Sequence, residues 1–255
     1  MTESTNALLN FKVGNSTIAQ NLHNAVTSGA LLKQQDGYYE LPKINQKVSP
    51  WLKVLQAPGM DCHFLMHFLF KQAYGRSIVP LGCQNCYKVC IVPKNVRELM
   101  ALRSLQVVMN CEAKCGVELD HSMSQNIYSG FFYCNGLDEA RAVYQKVRYA
   151  INEHPKLGPA VAMHIKRGCT VYEVSCGPSD QFSFAPELVE LEAHLSRRFK
   201  RPANVSHLHT KQATQVLWLH TAFSIGDDSY LEFTGGKRLY PKTVTYEPYA
   251  NPEIS

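Results

Sequence analysis

The sequence predicts an α+β fold, because helix-like and strand-like patterns fall in separate runs along the chain. Residues 1–76 carry helix signals, and residues 77–126 join two strand-like segments to one helix and hold five of the nine cysteines. Residues 127–255 alternate in the order β-α-β-β-α-β, which is the ferredoxin-like arrangement. These observations predict a helical N-terminal region, a cysteine-clasped strand–helix insert and a ferredoxin-like second half.

The N-terminal region is predicted to be helical after a polar start. Ser16 is placed to cap a first helix, and Ser49 followed by Pro50 is a typical start for a short second helix. Residues 61–74 are apolar nearly all round, which is typical of a buried helix. Three helices are therefore expected before the insert begins.

The middle region is predicted to begin with a strand, a tight turn and a second strand over residues 77–92. Asn95 is then placed to cap a helix that ends near Met109, with Glu98 as its capping-box partner. Two further cysteines follow this helix at once. The pattern predicts an insert whose helix is flanked by closely spaced thiols.

The second half supplies the ferredoxin-like prediction. Its predicted strands and helices cover, in chain order, residues 127–134, 138–154, 160–165, 170–176, 186–200 and 215–223. A terminal hairpin is expected around Gly235 and Gly236. With 255 residues in all, the sequence favours one compact body made of the three regions 1–76, 77–126 and 127–255.

Composition excludes several classes of protein. With 45% hydrophobic and 18% charged residues, the chain is not expected to be disordered, collagenous or a coiled coil. No basic segment followed by an apolar one stands at the N-terminus, so no secretory signal is predicted. The longest apolar run, residues 64–70, is too short to span a bilayer. We therefore expect a cytoplasmic protein with no membrane partner, in which closely spaced thiols indicate metal or redox chemistry.

Four of the cysteines form two closely spaced pairs. Cys83 and Cys86 are separated by two residues, and Cys111 and Cys115 are separated by three. Four thiolates in two pairs match the ligand set of a closed tetrahedral zinc site. The sequence therefore predicts a structural zinc that ties the insert to the rest of the protein.

Two other interpretations of the cysteines stay open. Cys90 extends the first pair to three thiols, which fits a 4Fe–4S cluster completed by one further cysteine. The cysteines could instead be packed core residues without a metal, since free cysteine is among the most buried residue types. Cys169 stands apart from this packing interpretation, because Lys166 and Arg167 precede it and adjacent cations favour a reactive thiolate.

Basic residues form one cluster and smaller pairs on a chain with a net charge of +5. The sequence predicts phosphate contacts, and hence nucleic-acid binding, for Arg197, Arg198, Lys200, Arg201, Lys237 and Arg238. Cations at a helix end also complement the helix dipole, which explains much of this cluster without a ligand.

Aromatic residues at 128 and 131–133 fit either base stacking or core packing.

These features lead to one main hypothesis and two alternatives. The main hypothesis is a metal-centred protein, with zinc favoured over iron–sulfur, that binds nucleic acid as a subunit of a larger complex. The first alternative is an enzyme that uses iron–sulfur or thiol chemistry at Cys83, Cys86 and Cys90. The second is a protein-interaction module with no metal. The common phosphate-loop, serine-hydrolase and metalloprotease motifs do not occur, so the sequence leaves open whether the protein is an enzyme.

Overall fold

The computed structural model describes residues 7–42, 48–54, 61–119, 126–201, 208–242, 244 and 246, with only the backbone given for residues 208–210. Its helices include α1 (Ile18–Thr27), α2 (His63–Ala73, a π-helix), α3 (Val96–Met109), α4 (Leu137–Asn152), α5 (Thr170–Cys176), α6 (Leu188–Arg197) and α7 (Leu208–Ser224). Short 3₁₀ turns cover Leu81–Cys83, Ser179–Gln181 and Asp228–Phe233. The strands are β1 (Lys12–Val13), β2 (Ser16–Thr17), β3 (Leu32–Lys33), β4 (Tyr39–Glu40), β5 (Trp51–Lys53), β6 (Cys86–Val92), β7 (Ala113–Val117), β8 (Tyr128–Asn135) and β9 (Ala162–Arg167). This mixture of helices and strands confirms the α+β prediction.

Five strands form one antiparallel sheet in the order β5-β7-β8-β6-β9. Along the chain, the strands from β6 to β9 are connected in the order β-α-β-β-α-β, with α3 and α4 as the helices. The register places Lys88 of β6 opposite Tyr133 of β8 on one side and Lys166 of β9 on the other. Two small hairpins, β1-β2 and β3-β4, lie outside this sheet.

Two strands predicted in the second half are helices. Residues 170–176 form α5, and residues 215–223 lie within α7. In α7 the fully buried residues Thr214, Trp218 and Ala222 recur every four positions, which is the helix period. Burial of this one face outweighs the strand propensity of the β-branched and aromatic residues in the segment.

The ferredoxin-like prediction for residues 127–255 is therefore wrong in its fourth and sixth elements, whereas the helix predicted over 186–200 is confirmed as α6. Its first three elements are confirmed as β8, α4 and β9. The predicted terminal hairpin begins with a 3₁₀ turn, Asp228–Phe233, and part of its second strand lies outside the described residues. The β-α-β-β-α-β connection occurs earlier in the chain, because strands on both sides of the predicted boundary at residue 126 belong to one sheet.

The segment predicted as a short helix after Ser49 begins with an extended strand, β5. Its backbone approaches β7 so closely that a Cβ atom at Gly116 would lie 2.2 Å from the carbonyl oxygen of Pro50. The indole Nε1 of Trp218 donates a hydrogen bond to the same oxygen at 2.8 Å. These contacts with distant residues keep β5 extended and outweigh the local helix signal.

Among the other local predictions, Thr17 and not Ser16 caps α1, and Glu98 accepts from the Lys94 N–H instead of closing a capping box with Asn95. The first strand predicted within residues 77–92 is replaced by the 3₁₀ turn Leu81–Cys83, which precedes β6.

Two further predictions are confirmed. The side-chain oxygen of Asn95 accepts a hydrogen bond from the Glu98 N–H at 2.9 Å and caps α3. The apolar segment 61–74 forms α2, whose buried residues include Phe64 and Phe68. Strong periodicity and a good cap therefore specified these elements locally.

The core consists of two apolar clusters. The first lies among α1, α2, α5 and α6, and Tyr74 and Tyr172 are its largest fully buried side chains. The second lies between one face of the five-stranded sheet and the helices α3, α4 and α7, and it is centred on Trp218 and Phe132. Both clusters draw on residues from all three predicted regions.

Among the described helices, none is both long enough and apolar enough to cross a membrane.

Candidate functional site

The face of the sheet turned away from α3, α4 and α7 is polar and cationic. Successive strand residues point to opposite faces, so Val89 and Ile91 enter the second cluster while Lys88 and Cys90 point the other way. The same alternation defines the polar sheet face as Trp51, Lys53, Cys86, Lys88, Cys90, Lys114, Ser129, Phe131, Tyr133, His164 and Lys166. Every strand of the sheet contributes to this surface.

Three aromatic rings lie side by side on this face. The ring centroids of Trp51 and Phe131 are 5.8 Å apart, and Tyr133 follows Phe131 on the same side of β8. The Lys114 ammonium lies 4.6 Å from the Trp51 ring, 5.4 Å from the Phe131 ring and 6.0 Å from the Tyr133 ring. The Lys88 ammonium lies 5.6 Å from the Tyr133 ring. All three rings are partly exposed, so they are accessible to a ligand.

The lysines of this face lie directly opposite one another on neighbouring strands. Lys53 lies opposite Lys114, and Lys88 lies opposite Lys166. Like charges in directly opposed positions destabilise a sheet unless a counter-charge is present. Burial, together with the neighbouring charge of Lys88, lowers the pKa of Lys114. Lys166 forms an ion pair with Glu173 of α5. The face therefore accumulates positive charge and is suited to an anionic ligand.

The start of α2 approaches the same face. Burial and the nearby charges of Lys71, His63, Lys114 and Lys53 lower the pKa of His67 to about 4. This histidine is therefore neutral at physiological pH and adds no charge of its own. The rings of His63 and His67 lie 5.9 Å apart on one side of the helix.

A cysteine is brought onto this face by a sharp turn after β9. Gly168 adopts a φ of 64°, which favours glycine, and its N–H donates to the Cys86 carbonyl oxygen at 2.7 Å. The turn places the next residue, Cys169, over β6, where its sulfur accepts a hydrogen bond from the Lys88 ammonium at 3.0 Å. Burial alone lowers the pKa of Lys88, but the charges of Cys169, Tyr133 and Cys86 raise it overall. The buried ammonium thus has a thiol as its hydrogen-bond partner.

A cavity of about 460 Å³ opens beside this pair. Its lining includes Lys88, Ser129, Phe131, His164, Lys166 and Cys169. This volume lies within the usual range for small-molecule sites.

A second cavity, of about 540 Å³, lies near the end of β6. Its carboxylate, Asp227, accepts hydrogen bonds from Tyr128, Ser229 and the Val96 N–H, so its acceptor capacity is already used by the fold.

The structure does not bring together the four cysteines predicted to bind zinc. Cys83 and Cys86 belong to the first apolar cluster, whereas Cys115 belongs to the second cluster on the opposite face of the sheet. Cys111 follows α3, and its thiol donates to the Met109 carbonyl oxygen. In the described part of the chain, no three histidine, cysteine or acidic side chains are grouped so that they could hold a metal ion.

The chemistry of these thiols fits packing better than ligation. Burial raises the pKa of Cys86 to about 12, that of Cys90 to about 11 and that of Cys115 to about 12. In the absence of a metal such thiols stay protonated at neutral pH, as is usual for packed core cysteines. Zinc, and the alternative 4Fe–4S cluster that would use Cys90, remain predictions that this geometry does not support.

The predicted nucleic-acid residues lie on two different parts of the fold. Beside the first cluster, Lys200 is 3.9 Å from Glu40, and Arg201 forms an ion pair with Asp61. Arg197 is exposed at the end of α6 and Arg198 follows it. Lys237 is exposed, and the Arg238 guanidinium lies 5.8 Å from the ring of Phe223 in α7. Their roles in phosphate contact remain predictions.

Sequence reasoning missed the polar sheet face, although a signal for it exists. Single lysines interrupt the largely apolar strands β6 and β7 at Lys88 and Lys114, and Lys166 lies in the more polar strand β9; each lies on the polar side of the alternation. Period-two alternation of this kind indicates a sheet with one buried face and one open face. It does not indicate which strands are neighbours, so the convergence of the lysines becomes apparent only in the folded structure.

Comparison of the chain with family models, with curated proteins and with solved structures finds no match.

Proposed function

We propose that the protein binds single-stranded nucleic acid on the polar sheet face. The observation that carries this proposal is the group of three partly exposed rings, Trp51, Phe131 and Tyr133, set among lysines on one face of the sheet. Aromatic platforms stack unpaired bases, and lysines neutralise the phosphates between them. Both parts of the ligand therefore have a partner on the same surface.

The electrostatics of the face support an anionic ligand in particular. Lys53 and Lys114 are held opposite each other, and Lys114 carries a lowered pKa because it is crowded and partly buried. A phosphate bound between the two ammonium groups would relieve their repulsion. Stacking needs bases that are free of a duplex, so the ligand class is single-stranded RNA or DNA.

We also infer that the ferredoxin-like unit of this protein is the segment from β6 to β9. The connection order and the neighbour order β7-β8-β6-β9, all antiparallel, support this inference. RNA-binding sheets of similar layout stack bases on the open face of the sheet. That similarity is an analogy of fold, which adds only weak support for function.

Zinc binding, membership of a larger complex and a cytoplasmic location are not needed for this proposal and remain predictions. Elemental analysis of the purified protein tests the metal directly. About one zinc per chain would restore the metal-centred hypothesis, and a brown protein with absorbance near 400 nm would favour the cluster.

Binding is tested by fluorescence anisotropy of labelled oligo-U and oligo-dT over a series of salt concentrations. The double variant Lys53→Gln, Lys114→Gln removes two cations from the polar sheet face. Each phosphate contact on a single strand contributes a slope of about −0.7 to log affinity against log salt. We therefore expect weaker binding and a slope reduced in magnitude by about 1.4. A difference between oligo-U and oligo-dT assigns the preference for RNA or DNA.

The matched control is Arg197→Gln, Arg198→Gln, which makes the same change in net charge at the basic cluster predicted from the sequence. We expect this control variant to have the same slope of log affinity against log salt as the wild type. If only the control loses slope, the ligand binds at the arginine cluster and the proposal is wrong. If the wild type binds neither oligonucleotide, nucleic-acid binding is ruled out altogether.

A further inference from the structure

We propose that Cys169 is the nucleophile of a site in the cavity beside β6 and β9, at one end of the polar sheet face, that takes a small anionic electrophile. The inference rests on the contact between Cys169 and Lys88 and on the cavity that adjoins them. It does not depend on nucleic-acid binding.

Lys88 is a buried cation with a sulfur atom as its neighbour. This lysine is only 8% exposed, and a buried ammonium is costly without a negative partner. Within the described residues, the hydrogen bond found for its Nζ goes to the Cys169 sulfur at 3.0 Å. The thiolate form of Cys169 places a negative charge directly beside this ammonium. Lys88 in turn stabilises that thiolate, which is the nucleophilic form of cysteine.

Small molecules can reach Cys169 through the cavity. Cys169 is only partly buried, and its side chain lines the cavity of about 460 Å³. Cys83, Cys86, Cys90 and Cys115 are buried, so reagents reach them less readily. Cys169 thus combines a lysine at hydrogen-bond distance with access to the cavity, whereas within the described residues the exposed Cys62 has no hydrogen bond to a cation.

The lining of the cavity indicates the class of substrate. Lys88, the hydroxyl of Ser129, the ring of His164 and Lys166 line it, with the Lys166 ammonium also paired to Glu173, and Glu118 is the carboxylate in the lining. Carboxylates and phosphates are bound by such cationic and hydroxyl groups. The ring of Phe131 adds an apolar wall. This combination suits a compact molecule with one anionic group and an electrophilic carbon.

In the covalent step, the thiolate sulfur of Cys169 donates its electron pair to the electrophilic carbon. A sulfur–carbon bond forms, the bond from carbon to the leaving group breaks, and the leaving group departs with that electron pair. The thiol proton passes to solvent before the attack, so the thiolate is the attacking form, and Lys88 keeps its own proton throughout. With iodoacetate as the electrophile, the products are S-carboxymethyl cysteine and iodide.

The test uses iodoacetate and iodoacetamide, which share a leaving group and differ in whether they carry a negative charge. The full-length protein is alkylated with each, without nucleic acid, and the rate at each cysteine is measured by peptide mass spectrometry. Cys176, at the other end of α5 and half-buried, is the internal control. A favourable contact with one cation at short range is expected to raise the ratio of iodoacetate rate to iodoacetamide rate at Cys169 about tenfold above that at Cys176. Equal ratios, or a Cys169 no faster than Cys176 with either reagent, would overturn the proposal.

Two variants separate activation of the thiol from recognition of the anion. Lys88→Met removes the partner of the thiolate, so the rate at which each reagent alkylates Cys169 should fall. Lys166→Gln leaves the Lys88 contact in place, so only the preference for iodoacetate should fall. If Lys88→Met does not fold, the wild-type ratio and Lys166→Gln still decide the matter. Retention of the full iodoacetate preference in Lys166→Gln would contradict the assignment of the anion subsite.

Discussion

The two faces of the five-stranded sheet are built from the same strands and have opposite chemistry. One face buries Val89, Phe132 and Cys115 against α3, α4 and α7. The other carries four lysines, three aromatic rings and the start of a cavity. Apolar burial on the first face stabilises the fold, whereas the crowded cations on the second face destabilise it. The comparison teaches that the fold is stabilised on one side of the sheet and that ligand chemistry is to be sought on the other.

The largest expected difference between the faces comes from two neighbouring phenylalanines on β8. Phe132 is fully buried, and Phe132→Ala is expected to lower the free energy of unfolding by about 3–5 kcal/mol. Phe131 is partly exposed, so Phe131→Ala should lower it by about 1 kcal/mol while weakening oligonucleotide binding. Urea denaturation of both variants measures the first effect and anisotropy the second. Equal losses of stability would show that the two faces are equally buried, contrary to the structure.

The second prediction concerns the strand that carries Trp51. Gly116→Ala would place a Cβ atom 2.2 Å from the Pro50 carbonyl oxygen and 2.9 Å from the Trp51 Cα. We expect β5 to move away from the sheet edge at a cost of about 1–3 kcal/mol, because backbone atoms cannot yield as a flexible side chain can. Urea denaturation measures the cost. A change in tryptophan fluorescence reports the movement of β5, because Trp51 lies on this strand and the Trp218 indole donates to the Pro50 carbonyl oxygen.

Ser129 lies directly opposite Gly116 in the register and provides the control for this substitution. Ser129→Ala removes a hydroxyl from the same face without adding an atom near β5. It should leave the tryptophan emission unchanged. If Gly116→Ala also leaves the emission and the stability unchanged, the close approach of β5 to β7 is wrong.

Much of the fold was predictable because its signals are local. The Asn95 cap, the aromatic strand β8 and the buried helix α2 each follow from a short run of residues. The strand β5 was not predictable in this way. Its conformation depends on Gly116 and Trp218, which are distant in sequence, so the local Ser49–Pro50 signal was overridden.

The candidate site was harder to predict than the fold, for two physical reasons. Cysteine spacing identifies pairs, but strand alternation sends Cys115 to the opposite face from Cys86. The pairing of Lys88 with Cys169 depends on the turn at Gly168 and on the alignment of β9 beside β6. The cations before Cys169 did indicate a reactive thiol, whereas its actual partner lies on another strand.

The smallest expected effect is a pH dependence of binding at the polar face. Burial and the charge of Lys88 lower the pKa of Lys114 below its usual value of 10.5. A bound phosphate favours the ammonium form and raises that pKa again, so affinity is constant below the pKa of the free protein and falls as pH rises through it. Loss of this one charged contact should weaken binding about threefold to tenfold. Anisotropy at constant ionic strength between neutral pH and the usual lysine pKa measures the fall. Lys114→Arg retains its charge throughout this range and should bind with a flat profile, so identical profiles in the two proteins would remove Lys114 from the binding surface.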